Sequence, residues 1–224
     1  MLFRSADMYD GQLIGSVKAS CDAAPKYECV LDGYNARLGK YVREISKAAP
    51  TLDGLVDFRL FLHGAAGDPG MHGGGRLVIR EADIQGLPIV QDLFRLLSFQ
   101  APTGRAFDEV DCNFRFEGRQ ALVQKLELLG PAEVMGPSLS LFNVGEGVVD
   151  LDTLKIHMTL APRFARGRWK IPIFTDVMNA ASDNLVEIPV GGTLSDPTPL
   201  VDTLPGLRRA FEMPARLLPA RSIR

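Results

Sequence analysis

Alternation of apolar and polar residues constrains the fold of this chain more than any other feature of its sequence. In residues 153–160, "TLKIHMTL", every second residue is apolar, and "LVDFRLFL" (residues 55–62) and "VDCNFRFEG" (residues 110–118) repeat the pattern. Successive side chains of a β-strand point to opposite faces, so a period of two predicts strands with one apolar and one wet face. One-sided alternation is typical of antiparallel sheets, because parallel strands are apolar on both faces.

Further strands are predicted at residues 12–20, 27–31, 75–84, 122–129, 138–144 and 184–193, most of them bounded by Gly, Pro or Asp. Helical spacing of apolar residues appears at residues 35–49, with Asn35 as the expected N-cap, and at residues 87–98 behind Pro88. The second of these, "LPIVQDLFRLLS", aligns without gaps with "IPIFTDVMNAAS" at residues 171–182, which leaves open whether the chain holds two similar units. The chain is therefore predicted to be mainly β with a few short helices.

Composition excludes several classes of protein. With 224 residues, of which 46% are hydrophobic and 23% charged, the chain can bury a sizeable core. Its formal net charge of −2 provides no overall field for nucleic acid. The odd set of cysteines, Cys21, Cys29 and Cys112, matches neither a disulfide framework nor a zinc motif, although a Cys21–Cys29 bond in an oxidising compartment stays open. There is neither an apolar run of about 18 residues nor a signal-peptide pattern near residue 1.

No stretch of the sequence indicates catalysis or metal binding. The segment "GDPGMHGGGR", residues 67–76, lacks the Gly-Lys-Ser/Thr ending of a phosphate loop and is predicted to be a hairpin loop. His63, His72 and His157 show no metal-ligand spacing, and there is no Gly-x-Ser-x-Gly nucleophile motif. We therefore predict no catalytic residue, no metal and no cofactor.

Several stretches together resemble the C-terminal region of AsmA-like proteins, which include relatives that act in outer-membrane biogenesis. They are "YDGQLIGSVKAS", "TLDGLVDFRLFLHGAAGDPGMHGGGRLVIREADIQGLPIV", "FDEVDCNFRFEG", "GEGVVDLDTLKIHMTLAP", "VEIPVGGTLSDPTPL" and "LPGLRRAF", and they cover about residues 9–211. The resemblance implies a twisted antiparallel sheet bent into an open apolar gutter, with helices packed at its end or face. The helix at residues 87–98 is expected to close one end of that gutter.

The resemblance also implies a place and an organisation for the chain. Residues 1–224 are expected to form one β-rich region of a longer protein, with a basic C-terminal helix or tail at residues 203–224. Because "MLFRS" leads at once into a strand pattern, we also expect residues 1–5 to be an artefact of a truncated gene model. The expected location is the periplasm or cell envelope. Membrane contact is expected through a missing N-terminal anchor or through the basic tail.

The function implied by the resemblance is non-catalytic conduction of lipid between the inner and outer membranes, with phospholipid acyl chains as the ligand. Singly, the apolar strand residues are ordinary core positions, but as a set they are predicted to line a lipid groove, since acyl chains need continuous apolar contact. The predicted groove residues are Val56, Phe58, Leu60, Leu62, Val110, Phe114, Phe116, Leu154, Ile156, Met158 and Leu160. The predicted membrane-interface residues are Arg166, Arg168, Trp169, Arg208 and Arg209.

Two other functions stay open on the sequence. One is a structural scaffold that docks outer-membrane or envelope proteins through a sheet edge and conducts no lipid. The other is a hydrolase built on a β-scaffold, which would need polar groups converging in a closed pocket.

Overall fold

The computed structural model describes residues 2–45, 52–68, 70–83, 107–130, 139–164, 187–194 and 196–200. These residues form one large antiparallel sheet and one short helix, which confirms the prediction of a mainly β chain. The strands are β1 (Leu2–Met8), β2 (Gly11–Ala19), β3 (Lys26–Arg37), β4 (Asp53–Ala65), β5 (Met71–Asp83), β6 (Glu109–Gly118), β7 (Gln120–Leu129), β8 (Leu139–Asn143), β9 (Gly147–Asp150), β10 (Ile156–Phe164), β11 (Ile188–Gly192) and β12 (Pro197–Pro199). The helix, α1, spans Leu38–Ile45.

Strand order in the sheet follows the chain. β1 to β7 pair with their sequence neighbours, and β10, β11 and β12 complete the far side. β8 and β9 lie end to end in one position of the sheet, because both pair with β7 on one side and with β10 on the other. The result is a sequential meander with one interrupted strand.

The two ends of the sheet differ in the connections they carry. At one end, which we call the turn end, the connections are residues 20–25, 66–70, Arg119, residues 151–155 and residues 193–196. At the opposite end, which we call the loop end, β3, β5, β7 and β10 end, and the tight turn after β1 leads into β2. The predicted helices at residues 87–98 and 171–182 lie outside the described residues.

The predicted helix at residues 35–49 begins later than expected. Asn35 belongs to β3, where its φ of 54° marks a bulge, and it is not an N-cap. Its N–H donates to Oδ1 of Asp57 at 2.8 Å, and its side-chain oxygen accepts from Arg80 at 2.7 Å. These bonds extend the strand past Asn35, so α1 starts at Leu38; residues 46–49 lie outside the described part.

Two other boundaries differ from the prediction. The strand predicted at residues 153–160 begins at Ile156, because Leu154 lies in the preceding turn with a φ of 55°. The hairpin loop predicted at residues 67–76 ends at Gly70, and Gly73 lies within β5. A β-carbon on Gly73 would come within 1.9 Å of the carbonyl oxygen of Phe61, so this strand needs glycine where its neighbour approaches closely. Strands β1, β9 and β12 were not predicted.

The side chain of Asn143, at the end of β8, forms hydrogen bonds at a point where the pairing of β7 is irregular. The register between β6 and β7 shifts at Gln124, opposite the gap between β8 and β9. The side-chain oxygen of Asn143 accepts from the N–H of Leu126 at 2.6 Å, and its amide nitrogen donates to the carbonyl of Gly145 at 2.8 Å. The side chain thus satisfies backbone groups that the interrupted ladder leaves without a strand partner.

Replacing Asn143 by alanine is expected to destabilise the fold by about 1 kcal/mol, because backbone groups at the interruption lose their partner. Thermal unfolding followed by circular dichroism measures the change. Asn113→Ala, on strand β6, is the matched control and should change stability by less than about 0.5 kcal/mol. Equal effects of the two substitutions would contradict a bracing role for Asn143.

The most deeply buried residues lie toward the far side of the sheet. Leu141, Ile188 and Phe107 have fully buried side chains, and they belong to one apolar cluster that also takes in Val123 and Leu160. This cluster draws mainly on β6 to β11. The core of the described part is therefore off-centre, on the side of the sheet away from β1.

Candidate functional site

Cross-strand register brings four rows of apolar residues from β2 to β11 onto one side of the sheet, whereas Val30, Phe61 and Leu122 lie on the other side. Residues directly opposite each other in antiparallel strands point to the same face. The first row across the sheet is Val17, Cys29, Leu62, Gly73, Phe116, Ala121, Val149 and Ile156, and the second is Gly15, Leu31, Leu60, Gly75, Phe114, Val123 and Gly147. The third row is Leu13, Gly33, Phe58, Leu77, Cys112 and Leu126, and the fourth is Ala36, Val56, Ile79, Val110, Leu128 and Leu141.

We call these four rows, together with Tyr27, Met71, Met158, Leu160, Ile188 and Val190, the apolar face. No residue in the four rows carries a charge, so the face offers no fixed partner to an ionic ligand. Neighbouring strands lie about 4.8 Å apart, so a face that runs across all these strands is many times wider than a single side chain. What such a surface can contact is an apolar molecule or an apolar part of the chain itself.

Ten of the eleven predicted groove residues lie on the apolar face. The exception is Leu154, whose side chain is 46% exposed in the turn before β10, so the prediction for this residue is wrong. The alternation of apolar and polar residues includes Leu154 and so predicted a strand there, but in the structure Leu154 belongs to a turn and the strand starts at Ile156.

Burial divides the apolar face into two parts. On β4, the groove residues Val56, Phe58, Leu60 and Leu62 are half-buried, as are their neighbours on β5. On β10, by contrast, Ile156 and Leu160 are buried within the core cluster. The β2 to β5 part of the face is therefore the part that a ligand can reach, and the β8 to β11 part serves chiefly as core.

The opposite side of the sheet, which we call the polar face, is held by ion pairs across strands. At its centre the carboxylate of Asp111, only 5% exposed, accepts from Arg76 at 2.9 and 3.1 Å and from Lys125 at 2.8 Å. Lys125 also pairs with Glu127 at 3.1 Å. Hydrogen bonding to Arg76, reinforced by Lys125 and opposed by burial, lowers the pKa of Asp111 below its ordinary value of 3.8. Asp111 therefore stays ionised and ties β5, β6 and β7 together.

Burial has the opposite effect on a thiol of the apolar face. It raises the pKa of Cys112 to about 11, with a smaller contribution from the charge of Asp111. At neutral pH the thiol is therefore protonated and a poor nucleophile. Cys112 behaves as a small apolar residue of the face.

Two of the three histidines lie side by side on the polar face. His63 and His72 are directly opposite each other on the polar face with stacked rings 5.9 Å apart, and Nε2 of His72 pairs with Asp68 at 3.0 Å. Among the described residues, no three His, Cys, Asp or Glu side chains are placed to hold a metal ion. The absence of a metal site stays a prediction.

A cavity of about 380 Å³ opens at the loop end, beside the bulge at Glu81. Its walls come from the ends of β3, β4 and β5. They include Arg37 and the carboxylates of Asp53, Glu81 and Asp83, so the cavity is polar and separate from the apolar face. Among the described residues, its lining includes no histidine, cysteine or serine that would act as a nucleophile or base toward a bound substrate.

Several predicted features fall outside the described residues. The membrane-interface residues Arg166, Arg168, Trp169, Arg208 and Arg209 are among them. Within the described ranges no helix combines the length and hydropathy that crossing a membrane requires. Those predictions stay untested.

Comparison with protein-family models, with curated proteins and with solved structures yields no match to this chain. The candidate site therefore rests on the residues themselves.

Proposed function

We propose that the protein is a non-catalytic component of the cell envelope that holds phospholipid acyl chains against its apolar face, as part of a lipid-conducting bridge between the inner and outer membranes. One observation carries the proposal: four uncharged rows of apolar residues run in register across the sheet, while the charged residues of the same strands occupy the polar face. Acyl chains need such continuous apolar contact and no fixed hydrogen bond.

The accessible part of the face supports a ligand in preference to a sealed core. Val17, Tyr27 and Met71 are exposed near the turn end, and the β4 groove residues beside them are half-buried. Exposed apolar surface of this extent in a folded protein marks a binding surface. The periplasmic setting and the gutter shape belong to the proposal through the resemblance to AsmA-like proteins.

The test compares two neighbouring positions on opposite faces of β4. Leu62→Asp puts a carboxylate on the apolar face, whereas Phe61→Asp puts the same carboxylate on the polar face, where Phe61 is already 42% exposed. A charge in contact with hydrocarbon costs about 3 kcal/mol, so Leu62→Asp should retain at least about tenfold less lipid than wild type. Phe61→Asp should retain the wild-type amount.

The measurement is native mass spectrometry and lipid extraction after incubation of the recombinant chain with phosphatidylethanolamine–phosphatidylglycerol vesicles. Circular dichroism must show that both variants keep the wild-type strand content. Lipid-free wild-type protein, or equal lipid retention by the two folded variants, would contradict the proposal.

A second function, docking of a partner through a sheet edge, is favoured by a difference between the two outermost strands of the described sheet. β12 carries Pro197 and Pro199, which lack the N–H that pairing needs, whereas β1 is a seven-residue strand without proline. A wild-type chain that is folded but takes up no lipid in the same experiment would favour this scaffold function.

A further inference from the structure

Sulfur-containing side chains on the apolar face differ in their exposure to solvent. Met71 is 40% exposed at the turn end of β5. Met158 and Cys112, by contrast, are partly buried and pack against the core cluster, and Cys29 is half-buried on β3. Within the described part of the face, Met71 is therefore the sulfur-containing side chain that a soluble oxidant reaches most readily.

The neighbours of Met71 across the sheet explain its exposure. On β6 the residue directly opposite is Gly118, where an added β-carbon would meet nothing within 4 Å. On β4 the register that pairs His63 with His72 places Gly64 beside Met71. Met71 thus lies between two glycines, and its row of the sheet is open on the β6 side.

A thioether needs no ionisation to react with an oxidant. A lone pair of the sulfur attacks one oxygen of hydrogen peroxide, the O–O bond breaks as the S–O bond forms, and the other oxygen leaves as water. Methionine is thereby oxidised by two electrons to its sulfoxide, and the peroxide is reduced by the same two. Cys112 differs, because a thiol reacts as its thiolate and burial raises the pKa of Cys112 to about 11.

Sulfoxide formation changes the polarity of the apolar face where the proposed ligand reaches it. Met71 and Tyr27 are exposed at the turn end, next to the half-buried Leu62 of the first row. That row carries no charge, hydroxyl or amide side chain that would bond a sulfoxide oxygen. A hydrocarbon chain lying across the oxidised side chain therefore displaces the water that hydrates it, at a cost in free energy.

We propose that Met71 is an oxidation site that controls lipid retention: conversion of its thioether to the sulfoxide by a peroxide makes the apolar face release acyl chains, and reduction of the sulfoxide restores binding. The reduction takes two electrons and two protons from a dithiol and gives a thioether, a disulfide and water. This inference rests on the proposed function and adds a mode of regulation to it.

The experiment oxidises the recombinant chain with hydrogen peroxide, incubates it with phosphatidylethanolamine–phosphatidylglycerol vesicles and measures bound lipid by native mass spectrometry. Peptide mapping measures the fraction of sulfoxide at Met71 and at Met158. We expect Met71 to oxidise first and oxidised wild type to retain about tenfold less lipid than untreated wild type, since a polar group is then set against hydrocarbon. Circular dichroism must show that the oxidised protein keeps its strand content.

Met71→Leu and Met158→Leu are the matched variants, because both keep an apolar side chain of similar size on the same face and differ in which sulfur remains. Each variant is compared with its own untreated sample, so the effect of the substitution itself cancels. Oxidised Met71→Leu should retain as much lipid as its untreated form, whereas Met158→Leu should show the wild-type loss.

Reduction distinguishes methionine from cysteine. Dithiothreitol alone reduces disulfides and leaves sulfoxides intact, so lipid retention should stay low. Methionine sulfoxide reductases for both epimers, added with dithiothreitol, should restore it. Recovery with dithiothreitol alone would assign the loss to a thiol such as the exposed Cys21 and would overturn the role of Met71.

The outcomes separate this inference from the proposed function. Untreated wild type that retains no lipid would overturn the proposed function, and the regulation with it. Untreated wild type that retains lipid, and keeps it after peptide mapping shows Met71 oxidised, would overturn only the inference. The same holds if oxidised Met71→Leu loses lipid as wild type does, or if Met158 oxidises before Met71.

Discussion

Leu141→Ala should lower the free energy of unfolding by about 3 kcal/mol, within the range of Leu→Ala substitutions that leave a cavity in a core. Leu141 is 1% exposed and lies directly opposite Leu128 on one side and Pro162 on the other. Truncation removes apolar contact at the centre of the buried cluster, where backbone pairing on both sides limits collapse around the cavity.

Urea unfolding measures this effect as a shift of the midpoint. Leu194→Ala is the control, because Leu194 lies in the turn between β11 and β12 with 53% of its surface exposed. It should change stability by less than about 0.5 kcal/mol. Equal midpoints for Leu141→Ala and wild type would mean that the cluster around β8 does not hold the sheet together.

Asp111→Asn should destabilise the protein by about 2 kcal/mol at neutral pH, because the carboxylate loses charge-assisted hydrogen bonds to Arg76 and Lys125. Asp152→Asn is the matched control, since Asp152 pairs with Arg119 at an exposed site. Exposed ion pairs contribute at most about 1 kcal/mol, so the control should lose clearly less stability.

The stability that Asp111 contributes to the fold should decrease as the pH falls. Its pKa is lower in the folded state than the ordinary 3.8 that it takes on unfolding, so the unfolded state binds the proton more readily. The stability that Asp111 contributes is therefore fully present well above pH 3.8 and is lost as pH falls through the folded-state pKa. Unfolding free energies measured from pH 7 to pH 3 should show the gap between wild type and Asp111→Asn closing toward acid. A difference in unfolding free energy that stays constant between pH 7 and pH 3 would contradict this role of Asp111.

The polar face of the sheet has a structural role, and the apolar face has the proposed functional one. Cross-strand ion pairs around Asp111 tie β5, β6 and β7 together on the polar side, whereas the proposed ligand contacts lie on the apolar side. Any one-residue slip would carry Leu60 and Leu62 to the polar face. Register, more than composition, thus keeps the apolar face continuous.

Alternation alone was enough to predict the faces of β4, β6 and most of β10. Side-chain direction in a strand follows directly from position, so Phe58, Leu60 and Leu62, two residues apart, must share a side wherever the strand lies in the sheet. The mainly β, antiparallel character of the chain follows from the same period. These features are local and needed no partner strand.

The residues at which strands begin and end, by contrast, depended on contacts with residues that are far away in the sequence. Asn35 was assigned to a helix because Asn is a common N-cap, yet Asp57 and Arg80 bind it within β3. Gly73 was assigned to a hairpin loop at residues 67–76, yet it lies in β5, where Phe61 approaches too closely for any other residue. In both cases a tertiary contact outweighed local preference.

The sequence by itself determined which residues of each strand share a face, because that depends only on the two-residue period of an extended chain. Only the tertiary structure decided that those faces join into one surface from β2 to β11, that Leu154 leaves it, and that Met71 lies exposed at its turn end. The reason is physical: alignment across strands is set by backbone pairing between segments far apart in the chain, and shifting that register by a single residue reverses every face.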